Sequence, residues 1–319
     1  MSKVVALGEL LVDFASISTN PDGYPIFSAN PGGAPANLLS ALSRYGIETS
    51  FIGKVGADRF GQLLIDTLKQ AGIDTSGVVE DDAVFTTLAF VTFDDTGNRY
   101  FSFARKPGAD TQLCWDEVDT EIIDGCDVFH FGTLSLTSEP SKTATRRAIE
   151  YARGKGKLIS LDPNLRLSLW PSPDMARESM LWALNQADIV KISDEEVSFL
   201  LNCSVDEGVE RLFRDFNISL AMITSGADGC LLKNRNAVYK TSSPNVKTVD
   251  TTGAGDIFGG SALSRLLRLG KTPSELEPAD LKYIADFAVT AASLSTERLG
   301  GIPSIPPETD VIRALESFK

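Results

Sequence analysis

Clustered metal ligands and paired cysteines are lacking in this sequence. It contains one histidine, His130, and four cysteines, none of them in a Cys-x-x-Cys pair. A zinc site needs clustered Cys and His ligands, and a disulfide framework needs paired cysteines in an oxidising compartment. We therefore expect free thiols and no zinc site. His130 lies in the apolar stretch 127–131, which favours a packed core histidine over a reactive one.

An excess of positive charge and a long apolar run are also missing. The formal net charge is −13, whereas a nucleic-acid surface needs clustered Lys and Arg. No uninterrupted apolar run approaches membrane-spanning length, and Met1 leads into the apolar residues 4–7 without a basic leader. We expect a cytoplasmic protein that binds neither nucleic acid nor membranes.

Strand and helix patterns alternate along most of the chain. With 319 residues and 43% hydrophobic content, the chain can bury a full core. Short apolar strands alternating with longer helical segments are typical of a parallel sheet covered on both faces. No linker or repeat interrupts them, so we predict one α/β domain over residues 1–319. The predicted strands are residues 4–7, 50–54, 128–131, 158–161, 189–191 and 220–224; the predicted helices are residues 35–45, 60–71, 139–154, 175–187, 195–201 and 205–216.

Two segments break this alternation. Residues 14–30 and 85–105 read as strands joined by turns at residues 20–23 and 94–97, with no helix between them. Such hairpins would leave the parallel sheet and form a small β-sheet lid. Apolar side chains at Phe90, Phe93 and Phe101 would favour closing over a ligand or pairing with a second subunit. We therefore keep a homodimer through the lid as one expectation.

The most informative stretch is residues 250–256, Asp-Thr-Thr-Gly-Ala-Gly-Asp. Leu263, Leu266 and Leu267 recur at helical spacing in the amphipathic run that follows, which places Gly253 to Asp256 on the first turn of a helix. Unpaired N–H groups and the positive helix end make such a turn an anion site. A carboxylate beside an anion site indicates proton abstraction coupled to phosphoryl transfer. An ordinary acidic helix cap would produce the same pattern, so this stretch alone leaves both interpretations open.

Two other phosphate-binding motifs are absent. Residues 270–272 end like a P-loop, but Arg265 stands where a P-loop has Gly, and the tripeptide follows a helix instead of preceding one. No Gly-x-Gly-x-x-Gly follows the first strand, so a dinucleotide-binding dehydrogenase is unsupported. Any phosphate chemistry therefore depends on residues 250–256.

Polar clusters follow several predicted strands, where ligands bind in open α/β sheets. Each cluster alone is matched by an ordinary turn, helix cap or surface ion pair. Their recurrence at strand ends is the stronger indication of a site. The clusters are residues 8–13, 30–37, 162–166, 191–196 and 224–229.

Residues 32–37 (Gly-Gly-Ala-Pro-Ala-Asn), taken together with residues 250–256, resemble the PfkB carbohydrate kinases of the ribokinase-like fold. The resemblance spans nearly the whole chain. Residues 8–14, 51–56 and 162–172 are most similar to fructokinases. The resemblance implies a three-layer α/β/α domain with a mostly parallel central sheet and a small β-sheet lid. It also implies ATP-dependent phosphorylation of the hydroxymethyl group of D-fructose to give fructose 6-phosphate.

The resemblance also implies roles for particular residues. Asp256 would be the general base, the amides of Gly253, Ala254 and Gly255 would form the anion hole, and Arg166 would act near the transferred group. The implied sugar-binding residues are Asp13, Gly32, Gly33, Asn37, Arg105 and Asp256. The implied nucleotide-binding residues are Lys191, Thr224, Gly226, Gly229 and Gly255.

Metal ions are implied in the same way. Glu196 would act on Mg²⁺ through water, and a K⁺ site would involve Asp250, Thr252, Gly300 and Ser304. The chain departs from the family at Ser193, where relatives commonly have Asn. The serine side chain is shorter than that of asparagine and would hold the waters around Mg²⁺ differently, so Ser193 is not among the implied metal contacts.

Two alternatives stay open at this point. One is a kinase for another acceptor, such as ribose or 2-keto-3-deoxygluconate. The other is a non-catalytic nucleotide- or sugar-binding module on the same fold. Such a module would have lost the base or the glycine turn, and this chain keeps both.

Overall fold

The computed structural model describes residues 3–93 and 99–317, without the side chains of residues 93 and 99–101. The turn predicted at residues 94–97 therefore lies outside the described residues, as do the side chains of Phe93 and Phe101.

Two sheets contain the strands of the described residues. The strands are β1 (Lys3–Leu7), β2 (Leu11–Thr19), β3 (Pro25–Gly32), β4 (Glu48–Gly56), β5 (Asp74–Asp81), β6 (Leu88–Phe93), β7 (Arg99–Ala104), β8 (Val128–Gly132), β9 (Leu158–Asp162), β10 (Ile189–Ser193), β11 (Leu220–Thr224), β12 (Cys230–Asn234) and β13 (Val238–Thr241). The central sheet has the order β13-β12-β11-β10-β9-β8-β1-β4-β5, with β12 and β13 antiparallel at one edge. The other strands of this sheet pair in parallel, so their carboxyl ends share one edge.

Helices cover both faces of the central sheet. They are α1 (Ala34–Arg44), α2 (Arg59–Gln70), α3 (Thr120–Asp124), α4 (Ser141–Gly154), α5 (Pro173–Leu184), α6 (Asp194–Leu201), α7 (Val205–Asp215), α8 (Ala254–Leu269), α9 (Pro278–Ser295) and α10 (Glu308–Ser317). Val5 and Leu7 of β1 pack into the core beneath α3 to α7, whereas Val4 and Ala6 face the core beneath α1, α2, α8 and α9. Because strand side chains alternate between faces, this sandwich requires strands that are apolar on both sides.

The six predicted strands and six predicted helices are confirmed, with helix ends displaced by at most three residues. The sequence interpretation missed β5, β12, β13, α3, α9 and α10. It was also wrong about the character of α8, which was expected to be amphipathic. Residues 257–266 are all buried, because α8 packs between α1 and α9 instead of at the surface. His130 is 2% exposed, as expected for a core histidine.

A second, four-stranded sheet forms the lid, in the order β3-β2-β6-β7. The turn predicted at residues 20–23 is present, and the Asn20 side-chain oxygen accepts the backbone N–H groups of Asp22 and Tyr24. Phe14 stacks on Phe90 of the neighbouring strand with ring centroids 5.3 Å apart. Its edge also meets Phe60 of α2, so aromatic packing ties the lid sheet to the main body.

The described part of the chain offers neither a membrane-spanning helix nor a cluster of metal ligands. Within residues 3–93 and 99–317, none of the helices is long and apolar enough to cross a membrane. The same residues contain no group of three or more His, Cys, Asp or Glu side chains that could hold a metal ion. All four cysteines are free thiols.

Candidate active site

The first turn of α8 exposes backbone N–H groups at the carboxyl edge of the central sheet. Gly253 precedes the helix with a φ of 74°, and a Cβ there would lie 3.0 Å from the Gly301 Cα. Left-handed backbone in so close a space requires glycine. The Ala254 N–H donates to the Thr251 carbonyl at 3.3 Å, whereas the N–H groups of Gly253 and Gly255 have no acceptor within the described residues. The turn therefore offers unpaired donors to an anion.

The Asp250 carboxylate holds this turn in shape. Its Oδ1 accepts the N–H and the hydroxyl of Thr252 at 2.9 and 2.7 Å. Its Oδ2 accepts the Gly300 N–H at 2.9 Å. Asp250, Thr252 and Gly300, three of the residues expected at a K⁺ site, are thus brought together by hydrogen bonds. The fourth, Ser304, is buried, and its hydroxyl donates to the Gly301 carbonyl nearby.

Two cavities meet at the turn. The first has a volume of about 410 Å³ and lies between the lid sheet and the main body. The second, of about 520 Å³, lies on the other side of the turn. Gly253 and Asp256 face the first cavity, Ala254 and Gly255 face the second, and Thr251 borders both. One helix start therefore separates two ligand-sized spaces.

Asp256 lies in the first turn of α8 with its carboxylate at the first cavity. Its Oδ2 accepts a hydrogen bond of 2.8 Å from the side-chain amide of Asn37 on α1. Burial raises the pKa of Asp256 above the ordinary aspartate value, and the negative charge of Asp162 raises it further. Lys191, Asn37 and Arg166 oppose that rise. A carboxylate made more basic in this way is suited to accept a proton.

Predicted sugar-binding residues line the first cavity together with Asp256. Asp13 on β2, Gly33 and Asn37 are among them, and burial raises the pKa of Asp13 to about 6. Gly33 has a φ of 116°, and a Cβ there would lie 2.4 Å from the Glu9 carbonyl oxygen, so only glycine is accommodated. Gly32 does not line the cavity, but its Cα packs against the Asp13 carboxylate.

Arg105 lies elsewhere than the sequence interpretation placed it. The residue is 8% exposed, does not line the first cavity, and pairs with Asp110 at 2.6 Å. It also donates to the Leu134 carbonyl, and Thr87 donates to Asp110. Asp110 is 4% exposed, and an unpaired carboxylate there would be costly. Arg105 therefore satisfies a buried charge at the base of the lid sheet.

The loop after β9 carries Arg166 to the edge of the first cavity. Arg166 is exposed, and its guanidinium donates to the Leu165 carbonyl at 2.9 Å. The Leu165 N–H in turn donates to Glu196 Oε1 at 2.7 Å. These bonds tie the Arg166 loop to α6.

Glu196 and Ser193 form a reciprocal cap at the start of α6. The Glu196 N–H donates to the Ser193 hydroxyl at 3.1 Å, and the Ser193 N–H donates to Glu196 Oε2 at 2.9 Å. Each Glu196 oxygen thus accepts one backbone N–H. Ser193 thus serves as the helix cap.

Thr224, Gly226, Gly229 and Gly255, predicted to bind nucleotide, all line the second cavity. Lys191 does not; its ammonium lies behind Gly255, where a Cβ would be 2.9 Å from Nζ.

The sequence interpretation missed several residues of both cavities. In the first cavity these include Leu134 and Leu299, whereas Glu9, Asn30 and Asn164 lie in the strand-end clusters without having been assigned a role. In the second they include Phe258, Val289, Ala292, Ser293 and Thr296. The last four belong to α9 or its end. The sequence did indicate the start of α9, because Glu277 and Asp280 form a capping box before an apolar helical repeat.

The chain matches a known protein family over most of its length. The model of the pfkB family carbohydrate kinases matches residues 1–308. The chain belongs to the PfkB family. A curated relative, fructokinase-1 of Zea mays, is 42% identical to this PfkB chain, over 98% of this chain and 97% of the relative.

Solved PfkB-like structures share the architecture. A fructokinase from Xylella fastidiosa with bound ATP has a TM-score of 0.91 and 27% identity, covering 99% of this chain and 98% of that one. A double-mutant fructokinase from Vibrio cholerae, bound to fructose, ADP and potassium ion, has a TM-score of 0.85 and 31% identity, with 99% and 98% coverage. The ribokinase-like α/β fold with a large mixed sheet and a smaller sheet is thus shared with PfkB kinases.

Glu9 gives the site a testable pH dependence of stability. Burial raises the pKa of this carboxyl from 4.5 to about 7, and its Oε2 is buried without a partner. Between these two values the folded protein holds a proton that the unfolded chain has lost, so stability falls as pH rises through this window. Each pKa unit corresponds to about 1.4 kcal/mol. Glutamine stays neutral at every pH, so Glu9→Gln avoids this loss of stability. The difference in Tm between Glu9→Gln and the parent, measured by calorimetry, should therefore favour the variant more at pH 8 than at pH 5.

The exposed Glu48 on β4 supplies the control. Glu48→Gln should give the same Tm difference from the parent at both pH values. A Glu9→Gln difference that does not change with pH would contradict the assignment of Glu9 as a buried, destabilising charge.

Proposed function

We infer that the protein is an ATP-dependent fructokinase that transfers the γ-phosphoryl group to the hydroxymethyl group of D-fructose. The observation that carries this inference is the position of Asp256, in a turn with unpaired N–H groups between two separate cavities. A sugar in the first cavity and a nucleotide in the second would meet at that turn. The relatives named fructokinase support the choice of acceptor.

Asp256 is proposed as the general base. A sugar hydroxyl is a weak nucleophile until it loses its proton, and a positioned base contributes on the order of 10²–10⁴ in rate. The Asn37 hydrogen bond holds Oδ2 and leaves Oδ1 to accept that proton. The raised pKa of Asp256 favours the transfer, because a more basic carboxylate takes up the proton more readily.

The transferred group needs compensation for its negative charge. Phosphoryl transfer draws its catalysis mostly from positioning and electrostatic stabilisation. The unpaired N–H groups of Gly253 and Gly255 supply fixed donors at the turn, and Arg166 supplies a cation at the edge of the first cavity. Water would compete with the sugar as acceptor, and the lid sheet over the first cavity would exclude it.

The second cavity suits a nucleotide. Phe258, Val289 and Ala292 form an apolar wall for a base, and the turn at Gly226 and Gly229 brings backbone close to the cavity. Gly229 has a φ of 102°, and a Cβ there would lie 2.1 Å from the Thr241 carbonyl oxygen. Glycine is thus required for this close turn.

Mg²⁺ and K⁺ are proposed as the metal ions. Mg²⁺ would neutralise the phosphates of ATP and keep several waters, one of which Glu196 would hold. Each oxygen of Glu196 keeps a second lone pair beyond its backbone hydrogen bond. The Asp250 carboxylate, with Thr252, Gly300 and Ser304 nearby, offers only oxygen ligands, which suits K⁺.

A homodimer through the lid sheet and a cytoplasmic location remain proposals. The lid sheet leaves Ile17, Tyr24 and Ile26 exposed, which is apolar surface that a second subunit would cover.

Replacing the base tests the mechanism. Asp256→Asn keeps the size of the side chain but removes its proton-accepting carboxylate. We expect kcat to fall by at least about a hundredfold while the Kd of ATP changes little. Asp124→Asn, at an exposed carboxylate paired with Lys155, is the matched control and should keep kcat. A kcat for Asp256→Asn within a few-fold of the parent would remove Asp256 from the role of base.

Acceptor choice is tested by kcat/KM for fructose, ribose, glucose and 2-keto-3-deoxygluconate, with NMR to locate the phosphorylated carbon. We expect fructose to be preferred and fructose 6-phosphate to be the product. Asp13→Ala should raise the fructose KM by about tenfold or more without changing ATP affinity, because the charged partner of a sugar hydroxyl is lost.

Asp22→Ala, at an exposed position on the lid turn, is the control for Asp13→Ala and should leave the fructose KM unchanged. A clear preference for ribose or 2-keto-3-deoxygluconate would identify a kinase for a different acceptor. A lack of ADP release with every sugar would favour a non-catalytic binding module.

The K⁺ proposal is tested by comparing turnover in potassium chloride and in choline chloride at equal ionic strength. The charge of choline is surrounded by methyl and methylene groups, so oxygen ligands such as the Asp250 carboxylate cannot coordinate it as closely as they would K⁺. Turnover should be higher in potassium. Equal rates in the two salts would contradict a K⁺ site.

A further inference from the structure

Asp162 and Lys191 form a buried ion pair beside the catalytic turn. They follow Leu161 and Val190, which pair in register on the parallel strands β9 and β10. Lys191 Nζ lies 3.0 Å from Asp162 Oδ2, and the two side chains are 12% and 3% exposed. Asp162 Oδ1 accepts the Asn164 N–H at 3.1 Å. Both oxygens of Asp162 are thereby engaged, and the carboxylate is held in one orientation.

The Lys191 ammonium also lies against the first turn of α8. A Cβ at Gly255 would be 2.9 Å from Nζ, so the missing side chain of Gly255 makes room for the cation. Burial lowers the pKa of Lys191, but the charges of Asp162, Glu196 and Asp256 outweigh that effect and raise it overall. The lysine therefore stays charged beside the anion hole.

Two carboxylates, Asp162 and Asp256, compete for this one ammonium. The geometry shows Asp162 holding it, whereas the described hydrogen bond of the Asp256 carboxylate comes from Asn37. We propose that Asp162 is a positioning residue that holds the Lys191 ammonium at the anion hole and keeps it from pairing with Asp256. This proposal rests on the proposed function, in which Asp256 is the base.

The arrangement serves two requirements that conflict. The anion hole benefits from a cation next to the Gly255 N–H, because charge builds on the transferred group. A base benefits from having no cation bound to it, because a close ammonium lowers carboxylate basicity. The ion pair with Asp162 meets both requirements, since the ammonium stays at Gly255 while its ion-pair partner is Asp162 and not Asp256.

The charged and polar groups that face Asp256 come from four elements. Asn37 belongs to α1, Asp162 to the end of β9, Lys191 to β10, and Arg166 to the loop after β9. The negative charge of Asp162 raises the pKa of Asp256, and the positive charge of Lys191 lowers it. Removing Asp162 should therefore lower the Asp256 pKa, and removing Lys191 should raise it.

The test is a pH titration of protein labelled with ¹³C at aspartate carboxyls, followed by NMR without substrate. The Asp256 signal is the one missing from the spectrum of Asp256→Asn. Asp162→Asn removes a negative charge and frees Lys191 to pair with Asp256, so the Asp256 pKa should fall by about 1 or more. Lys191→Met removes the cation and leaves both carboxylates, so the same pKa should rise.

Asp188→Asn is the matched control. Asp188 precedes β10 at the opposite edge of the sheet, where it accepts the Ile159 N–H at 2.8 Å. The Asp188→Asn variant should have the same Asp256 pKa as the parent. Opposite displacements in Asp162→Asn and Lys191→Met support the proposal. Displacements of equal sign, or none, overturn it. If Asp162→Asn does not fold, Lys191→Met decides alone, and the absence of an upward displacement overturns the proposal.

Turnover separates this inference from the proposed function. In an active parent enzyme, both variants should lower kcat by about tenfold or more, and the acidic limb of the kcat/KM profile should follow the two NMR displacements. A parent that phosphorylates no sugar would overturn the proposed function, while the NMR titration would still decide whether Asp162 controls the charge around Asp256.

Discussion

The site depends on one constraint, which is that the first turn of α8 must begin with unpaired backbone N–H groups between two cavities. Gly253 permits this by adopting left-handed backbone at the helix start. Asp250 then fixes the turn through Thr252 and Gly300, so the donors point in set directions before any ligand arrives. Preorganised donors of this kind need little rearrangement when negative charge develops, which makes them effective in the transition state.

The close packing of α8 against α1 also contributes to the site. A Cβ at Gly260 of α8 would lie 2.4 Å from the Leu38 carbonyl oxygen on α1. The two helices can approach this closely only because Gly260 has no side chain. That approach places Asn37 within 2.8 Å of Asp256, although the two residues are 219 positions apart in the sequence. The small residues of α8 thus determine which side chains meet at the first cavity.

The sequence was informative wherever local backbone chemistry determined the outcome. The glycine-rich turn at residues 250–256 predicted a helix start, and the parallel pattern predicted that the ends of β1, β9, β10 and β11 would share one edge. Both follow from short-range rules, namely the freedom of glycine and the geometry of parallel strands. The two cavities arise from these local features.

Long-range pairing was harder to predict. Arg105 lies only five residues from Asp110, yet their ion pair depends on the burial of both side chains, which the sequence does not display. The ion pair between Asp162 and Lys191 likewise depends on β9 and β10 being neighbours in the sheet. Whether a charged residue faces a ligand or a buried partner is decided by the register of distant segments.

The distribution of charge shows why the local cations matter. The protein carries a net charge of −13, and Glu9, Asp13 and Asp256 place further carboxylates around the first cavity. Long-range electrostatics therefore oppose the approach of an anionic nucleotide, and affinity must come from short-range donors. In the proposed mechanism, the amides at Gly253 and Gly255 and the cations of Lys191 and Arg166 would supply them. Because burial and neighbouring negative charge raise the pKa values of Asp13 and Asp256, the same carboxylates that repel an anion are also better proton acceptors. The electrostatic cost of binding the nucleotide and the basicity needed for proton removal thus share one physical origin.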